Sequence, residues 1–270
     1  MRKNSILPMA MGAAALALAS QGAFATCNDI TYAYNGKAAA INAVIGAPGN
    51  GGYGLPMWVS AVDETGKVCG IINTSGKAGN ANIGNSSWLG SRVISAQKAN
   101  TANDFSLDAF SIASANLYGL TLDGGSLFGL QASNPIDAST AYLGSPETYG
   151  TGADPLIGKR IGGINVFGGG LALYNSSKVK VGAIGVSGDT SCTDHAVAWK
   201  IRAILGLDNV PGGFVSGYPN PGFAVKGDEM VIKLSGTSTN VQNSYKQVSC
   251  AHNTISNPTA GAATGVIIEP

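Results

Sequence analysis

The most informative stretch of the chain is Val181–Asp189, which reads VGAIGVSGD. This stretch overlaps the last of three short apolar runs. Gly-Gly-Gly and Ser-Ser separate the three runs from one another. The runs are Gly163–Phe167, Leu171–Asn175 and Val179–Ser187. Short apolar runs with turn residues between them predict an antiparallel meander. Asp189 and Ser191 are candidates to cap a helix that we predict over about Thr193–Leu207.

The rest of the chain predicts a hairpin, several helices and one more strand. Met57–Val62 and Lys67–Asn73 flank the turn Asp63–Gly66, which is typical of a β-hairpin with a four-residue loop. Helices are predicted over Ile30–Ile45, Ser91–Phe105 and Leu107–Leu117, and a strand over Glu229–Leu234. This order predicts an α+β fold in which an antiparallel sheet of about five strands is flanked by helices.

The composition excludes one class of partner. Charged residues make up 11% of the 270 residues, with 16 Lys plus Arg against 15 Asp plus Glu. A protein that binds nucleic acid through broad electrostatic attraction is clearly basic, so we expect no nucleic-acid partner. The 44% of hydrophobic residues is ordinary for a globular chain, and only the extreme N-terminus approaches a long apolar span.

The first 25 residues have the three parts of a secretory signal peptide. Arg2 and Lys3 form a positive start, Met9–Leu18 is an apolar segment of about ten residues, and Ala23-Phe24-Ala25 is a small-x-small cleavage site. An uncleaved membrane anchor is the alternative, but the apolar segment is too short for one. We therefore expect a mature chain that begins at Thr26, is periplasmic or secreted, and has no membrane association.

The four cysteines are an even set with long separations, and an exported chain meets an oxidising compartment. Four cysteines allow three pairings. We favour Cys27–Cys69 together with Cys192–Cys250, because each bond then ties a terminal arm to the body of the protein. Free buried thiols are the alternative.

Three motifs, in the right order, resemble the GlcG/HbpS haem-binding family. They are Pro56–Val68 (PMWVSAVDETGKV), the QKANTA segment Gln97–Ala102 with Phe105, and VGAIGVSGD followed by Asp194. Together they cover about Ile30–Leu207. The resemblance implies a profilin-like α+β fold, assembly into homo-oligomers and, for exported members, haem as the ligand. Some relatives of this fold serve cobalamin-processing enzymes, so the fold is not tied to haem alone.

The chain is longer than the family domain. We expect a signal peptide at 1–25, a GlcG/HbpS-like domain at 26–207 and a C-terminal extension at 208–270 that packs on the domain. Extra loops interrupt the domain at Thr74–Trp88 and Gln131–Lys159. These insertions are able to cover, replace or create a site.

Two histidines, His195 and His252, are the first candidates for a haem-iron ligand. His195 is predicted in the first turn of a helix beside Asp194, whose carboxylate is a candidate to orient the ring. His252 follows Cys250 in a predicted loop, where a solvated side chain is the simpler interpretation. We therefore expect His195 to be the ligand, with a surface helix position as its alternative.

The resemblance implies a haem pocket near the helix that carries Lys98 and Thr101, at the Gly-rich ends of the sheet. Arg92 or Lys98 is then a candidate partner for a haem propionate, because carboxylates favour such cations. The alternative is that both side chains are exposed on the helix.

The candidate catalytic and nucleotide-binding motifs do not match the patterns that such sites require. Gly185–Asp189 (GVSGD) misses the second glycine of a nucleophile elbow, and the Gly-rich segments lack a phosphate-binding context. We therefore expect a non-enzymatic, exported binding protein for haem or a related tetrapyrrole, in scavenging, storage or sensing. The alternative is a secreted structural or small-molecule-binding protein of the same fold with no haem.

Overall fold

The computed structural model describes residues 25–34, 36–45, 47, 49–73, 88–216, 225–233 and 264–269. Residues 1–24 of the predicted signal peptide lie outside this set, as do Cys250 and His252. Among the helices that are described, none is long and apolar enough to cross a membrane.

A four-stranded antiparallel sheet lies at the centre of the described part of the chain. Its strands are β1 (Trp58–Asp63), β2 (Val68–Asn73), β3 (Gly170–Tyr174) and β4 (Lys180–Ser187), in the order β2-β1-β4-β3. The predicted hairpin is β1–β2, and its turn contains Gly66 with a φ of 74°. β4 contains most of the VGAIGVSGD stretch and pairs with both β1 and β3 in the middle of the sheet.

Helix α3 (Leu89–Phe105) packs closely on one face of this sheet. A Cβ atom at Gly185 would collide with the backbone carbonyl of Ser95, and one at Gly170 would collide with that of Lys98. The helix side chains buried in the apolar cluster on this face are small or branched: Val93, Ala96, Ala99 and Ala102. The glycines of β3 and β4 therefore permit the close approach that brings Lys98 to the end of β4.

The opposite face of the sheet is covered by α1 (Cys27–Tyr34), α2 (Ala38–Ile45) and α6 (Ser191–Leu205). Because side chains alternate along a strand, Val59 and Ala61 of β1 face this layer while Trp58 and Val62 face α3. The prediction of a single helix over Ile30–Ile45 is corrected to the two helices α1 and α2.

Helix α6 starts and ends on recognisable capping residues. The Thr190 side chain accepts a hydrogen bond from the Thr193 N–H, and Gly206 adopts a φ of 70° at the C-terminal end. The cap residue is Thr190 and neither of the predicted candidates, Asp189 and Ser191.

Two predicted elements between α3 and β4 are wrong. At Leu107–Leu117, Ser106 Oγ accepts from the Ile112 N–H at 3.0 Å and donates to the Ile112 carbonyl at 3.2 Å, so a side chain takes backbone bonds that a helix needs. At Gly163–Phe167, the φ of 81° at Gly163 is incompatible with an extended strand.

The segment between α3 and β3 contains short helical elements in place of a long helix. They are the 3-10 helices Ser114–Leu117, Gly119–Thr121 and Pro146–Thr148, with α4 (Leu130–Ser133) and α5 (Ala138–Ala141). The Asp137 carboxylate caps α5 by accepting from the Ser139 and Thr140 N–H groups.

The described part of the C-terminal extension forms a second, parallel pair of strands, β5 (Met230–Lys233) and β6 (Val266–Glu269). Arg202 of α6 donates to the Asp228 carboxylate through both terminal nitrogens, and both side chains are buried. The predicted α+β class is confirmed. The expected sheet of about five strands is corrected to four strands plus this separate pair, within the described residues.

One disulfide lies within the described residues. It joins Cys27 at the start of α1 to Cys69 of β2, which is one of the two predicted pairings. The partner proposed for Cys192 is Cys250, which lies outside the described residues, so the second pairing stays a prediction.

Candidate functional site

A groove of about 400 Å³ opens where the N-terminal part of α3 meets the start of α6. Its polar lining comes from the residues that end β4 and begin α6, together with Ser91 and Lys98 of α3. Its apolar lining consists of Tyr53, Leu55, Trp88, Ile94 and Phe167. Three of these are aromatic and remain largely accessible, with Tyr53 55%, Trp88 57% and Phe167 44% exposed. Exposed aromatic rings around one concave surface suit a flat, apolar ligand that stacks on them.

The groove is closed underneath by a buried ion pair. Lys98 Nζ of α3 lies 2.7 Å from Asp194 Oδ2 of α6 and 3.0 Å from the Val186 carbonyl oxygen. Both side chains line the groove, although each is only 1–3% exposed. Two of the three ammonium N–H groups thus have partners within the described part of the chain. The pair joins the helices on opposite faces of the sheet directly at the site.

Burial shifts the pKa values of both members of this ion pair. It raises the pKa of the Asp194 carboxyl to about 6, an increase that the nearby Lys98 ammonium and the Asp189 N–H partly offset. Burial also lowers the pKa of the Lys98 ammonium, against the attraction of Asp194. Desolvation disfavours the charged form of both groups. Asp194 therefore gains a proton at a milder pH than an exposed aspartate does.

Asp189 fixes the wall of the groove that carries Tyr53. Its carboxylate accepts hydrogen bonds from the backbone N–H groups of Tyr53, at 3.0 and 3.1 Å, and of Leu55, at 3.0 Å. It also accepts from the Thr190 N–H at 2.7 Å. A turn that ends β4 thereby holds a segment more than 130 residues away in sequence.

Trp88 stands at the mouth of the groove in an unusual backbone conformation. Its φ of 49° and ψ of 57° are left-handed, and it immediately precedes α3. Bulky residues rarely adopt this conformation, and such strain concentrates at ligand-binding sites. Trp88, Tyr53 and Phe167 are not among the site residues that the sequence predicts. A lone tryptophan at the end of a Gly, Asn and Ser-rich stretch was the one available signal.

His195 does not line the groove. It is fully buried, and its ring stacks on Trp199 with centroids 6.2 Å apart. Neither ring nitrogen has a hydrogen-bond partner of normal geometry among the described residues. Burial lowers the pKa of the imidazole to about 3, so the ring is neutral. The alternative of a surface helix position is therefore wrong, and the predicted role of iron ligand stays a prediction that this placement does not support.

The expected support of His195 by Asp194 is also corrected. The Asp194 carboxylate accepts from Lys98 and from the Asp189 N–H, at 2.7 and 3.0 Å. Consecutive helix residues point about 100° apart, so two neighbours do not face each other. Asp194 consequently turns into the groove while His195 turns into the core.

Arg92 is not free to pair with a haem propionate. Its guanidinium is completely buried, donates to both carboxylate oxygens of Asp154 and to the Ala141 carbonyl, and lies 3.6 Å over the Tyr149 ring. These partners belong to the 131–159 insertion. The expectation that Arg92 binds a ligand or is exposed is therefore corrected to a structural role, in which it anchors the insertion on α3.

Thr101 is likewise a structural residue. It is fully buried, donates to the Gln97 carbonyl at 2.8 Å and accepts from the Asn165 N–H at 2.9 Å. It fixes the loop before β3 and does not line the groove. Of the five predicted site residues, the structure thus brings Lys98 and Asp194 together in the groove and places the other three elsewhere.

Comparisons with known proteins give two similar solved structures and one family profile. No curated protein sequence matches the chain. The crystal structure of Klebsiella pneumoniae protein ORFY is 19% identical, with a TM-score of 0.42 over 73% of this chain and 97% of that chain. The structure of a PduOC:heme complex is 21% identical, with a TM-score of 0.40 over 66% of this chain and 89% of that chain.

The family comparison is the decisive one. A family profile described as haem degrading protein HbpS-like matches residues 53–202, more than half of the chain. This range contains both walls of the groove and its buried ion pair. It also contains the three motifs on which the resemblance was based, and that resemblance is confirmed. The chain belongs to the HbpS-like family.

Proposed function

We propose that this chain is an exported binding protein for haem or a related tetrapyrrole, and that the ligand occupies the groove above Lys98 and Asp194. The observation that carries the proposal is a concave surface with three accessible aromatic rings, in a chain of a family described as haem degrading. A tetrapyrrole is large, flat and mostly apolar, so its faces match these rings.

The residues of the groove fit the macrocycle better than they fit a histidine-ligated iron. Among the described lining residues, Tyr53 carries a side chain of a kind that ligates haem iron in proteins, and no histidine, cysteine or methionine is present. Tyr53 would therefore hold the iron, and Trp88 and Phe167 would hold the ring. Bound haem would supply redox chemistry, while the chain supplies orientation and exclusion of water.

Charge at the floor of the groove orients the ligand. Two carboxylates, Asp189 and Asp194, line it together with the single described ammonium group, Lys98. Lys98 is already engaged by Asp194, so propionates directed inward would meet excess negative charge. Propionates beside Asp189 and Asp194 would therefore be disfavoured, and the apolar part of the ring would contact Trp88 and Phe167. This arrangement replaces the predicted Lys98–propionate pair.

Export is supported by the sequence. The positive start, the short apolar segment and the Ala23-Phe24-Ala25 site all precede Thr26, the expected first residue of the mature chain. A haem-binding chain outside the cytoplasm serves scavenging, storage or sensing. Mass spectrometry of the mature protein tests this part of the proposal. A chain that begins at Thr26 supports export, and a chain that keeps its first 25 residues in the cytoplasm contradicts it.

Haemin titration of the mature chain tests the binding itself. We expect a Soret band shifted from that of free haemin, saturating at a fixed ratio of haemin to protein. The same sample is then followed over hours with and without a reductant, which separates stable binding from degradation of the ring. An unshifted spectrum at all ratios contradicts the haem proposal and leaves a haem-free structural or small-molecule-binding role. Loss of the Soret band faster than that of free haemin under the same conditions, with more than one haemin degraded per chain, shows an enzyme.

A further inference from the structure

A second site lies at the edge of the sheet, away from the groove. Cys27, Cys69 and Asp63 offer two sulfur atoms and a carboxylate oxygen within 4.8 Å of one another. The three residues come from α1, β2 and the end of β1. Sulfur and carboxylate oxygen are ligands that Zn²⁺ accepts in proteins. In the structure the two sulfurs form a disulfide, so neither is a thiolate.

We propose that the reduced chain binds a thiophilic divalent cation such as Zn²⁺ through Cys27, Cys69 and Asp63, and that the disulfide is the metal-free state of this site. The two states exclude each other because metal binding requires thiolates. The site is thus a redox-gated metal site, and it is independent of haem binding in the groove.

The carboxylate is already placed as a ligand. Asp63 Oδ2 lies 3.6 Å from Cys27 Sγ. Two ligands of a tetrahedral zinc ion, at about 2.3 Å for sulfur and about 2.0 Å for oxygen, are separated by about 3.5 Å. Opening the sulfurs from a disulfide to about 3.7 Å completes the geometry. The Cα atoms of the two cysteines are 5.1 Å apart, so rotation of the side chains suffices.

The Asp63 carboxylate is held in one orientation. Its Oδ1 accepts from the Thr65 N–H, the Thr65 hydroxyl and the Lys67 N–H, at 2.9, 2.7 and 3.1 Å. Oδ2 is left facing the sulfurs, with the Lys67 ammonium at 3.5 Å.

A further oxygen and an access route complete the site. The Lys67 carbonyl oxygen lies 3.4 Å from Cys69 Sγ and 3.9 Å from Cys27 Sγ, so this carbonyl or a water can be the fourth ligand. A pocket of about 330 Å³ beside β2 is lined by Cys69 and by Ile30 of α1. Small thiols and metal ions can therefore reach the Cys69 sulfur without unfolding of the sheet.

The chemistry balances with a low-molecular-weight thiol as the reductant. Two thiol molecules give two electrons to the Cys27–Cys69 bond, form a disulfide with each other, and leave one proton on each cysteine. The metal ion then displaces these two protons as it binds the thiolates. Oxidation by an external disulfide reverses the sequence and releases the ion.

Anaerobic titration with Co²⁺, followed by competition with Zn²⁺, tests the proposal. We expect the reduced chain to show thiolate-to-metal charge-transfer bands that saturate and are lost when Zn²⁺ displaces Co²⁺. The oxidised chain shows none of these bands. Asp63→Asn keeps an oxygen for the three Oδ1 bonds but removes the charged ligand, and it weakens binding at least about tenfold.

Two controls keep the test decisive. Cys192 and Cys250 are present in both the wild type and Asp63→Asn. A difference in metal affinity between these two chains therefore reports the contribution of Asp63 alone. If Asp63→Asn folds poorly, Lys67→Ala removes the half-exposed cation beside Oδ2 and is expected to tighten binding several-fold. Absence of charge-transfer bands in the reduced wild type, equal affinity in Asp63→Asn, or weaker binding in Lys67→Ala overturns the proposal.

Discussion

Lys98 and Asp194 lie 96 residues apart in sequence, yet their charged atoms are 2.7 Å apart beneath the groove. Each comes from a helix on a different face of the sheet, so the ion pair passes between the layers at the end of β4. Breaking a buried pair by removing one partner leaves an uncompensated charge, which is costly. The floor of the groove therefore depends on both residues together.

We expect Lys98→Met to lower the free energy of unfolding by about 3–5 kcal/mol, because it leaves the Asp194 carboxylate buried alone. The double variant Lys98→Met/Asp194→Leu removes both charges and loses less than the sum of its single variants. Urea unfolding at pH 7 measures these differences. Lys159→Met, at an exposed position, is the control and changes stability by less than about 0.5 kcal/mol. Additive losses in the double variant would contradict the pairing.

His195 makes the fold sensitive to acid. Its pKa is about 3 in the folded chain against an ordinary value of 6.5, so the unfolded chain binds the proton first as the pH falls. The stability that this neutral ring contributes is present above pH 6.5 and is lost toward pH 3. The groups that act on the ring are Asp228, which favours its protonation, and Arg202 and Lys98, which oppose it.

The variant His195→Phe isolates this effect, since Phe keeps a ring beside Trp199 and cannot be protonated. The stability advantage of the wild type over the variant should shrink by a few kcal/mol between pH 6.5 and pH 3. The protonation of Asp194, between its ordinary pKa of 3.8 and about 6, raises the stability of the fold as the pH falls. Because both chains contain Asp194, this contribution cancels when their stabilities are compared. Parallel pH profiles would show that His195 is not buried as a neutral ring.

Arg92 anchors the insertion and does not bind the ligand. We expect Arg92→Met to lower the free energy of unfolding by about 3–5 kcal/mol, because Asp154 is left buried without its partner. Limited proteolysis should then cut within residues 131–159 faster than in the wild type. Haemin affinity of the folded fraction should stay within about twofold. A large loss of haemin affinity without faster cleavage would restore the propionate role.

Assembly into a homo-oligomer stays a prediction from family resemblance and low surface charge. Several large apolar side chains remain exposed outside the groove, including Leu107 at 67% and Phe128 at 66%, and such side chains are available for subunit contacts. Light scattering of the mature chain at micromolar concentration should give a mass of at least two chains. A monomer mass across that range is the contrary result.

The fold was more predictable than the site. Apolar runs and the hairpin turn located β1, β2, β3 and β4 to within one residue at each end, because these strands have short apolar sequences bounded by turn residues. The helix expected at Leu107–Leu117 failed because Ser106 competes for backbone bonds, which is a tertiary arrangement that helical periodicity does not report.

The site was predicted only where a motif included it. Lys98 and Asp194 belong to motifs of the family and do meet in the groove. His195 was chosen for its chemistry and its neighbour, but its direction on the helix sends the ring into the core. Tyr53, Trp88 and Phe167 lie in loops, where no periodicity shows that three distant aromatic residues will converge.

The most direct test of the central claim compares haemin affinity in Trp88→Ala and Phe128→Ala. Both variants remove an exposed aromatic side chain, but only Trp88 lines the groove. Stacking of a planar ring on one aromatic side chain contributes about 1–3 kcal/mol to the free energy of binding. We therefore expect Trp88→Ala to raise the Kd for haemin about 5- to 150-fold. Phe128→Ala should leave the Kd within about twofold of the wild type. Equal affinities in the two variants, with haemin bound by both, would show that the ligand does not lie in this groove.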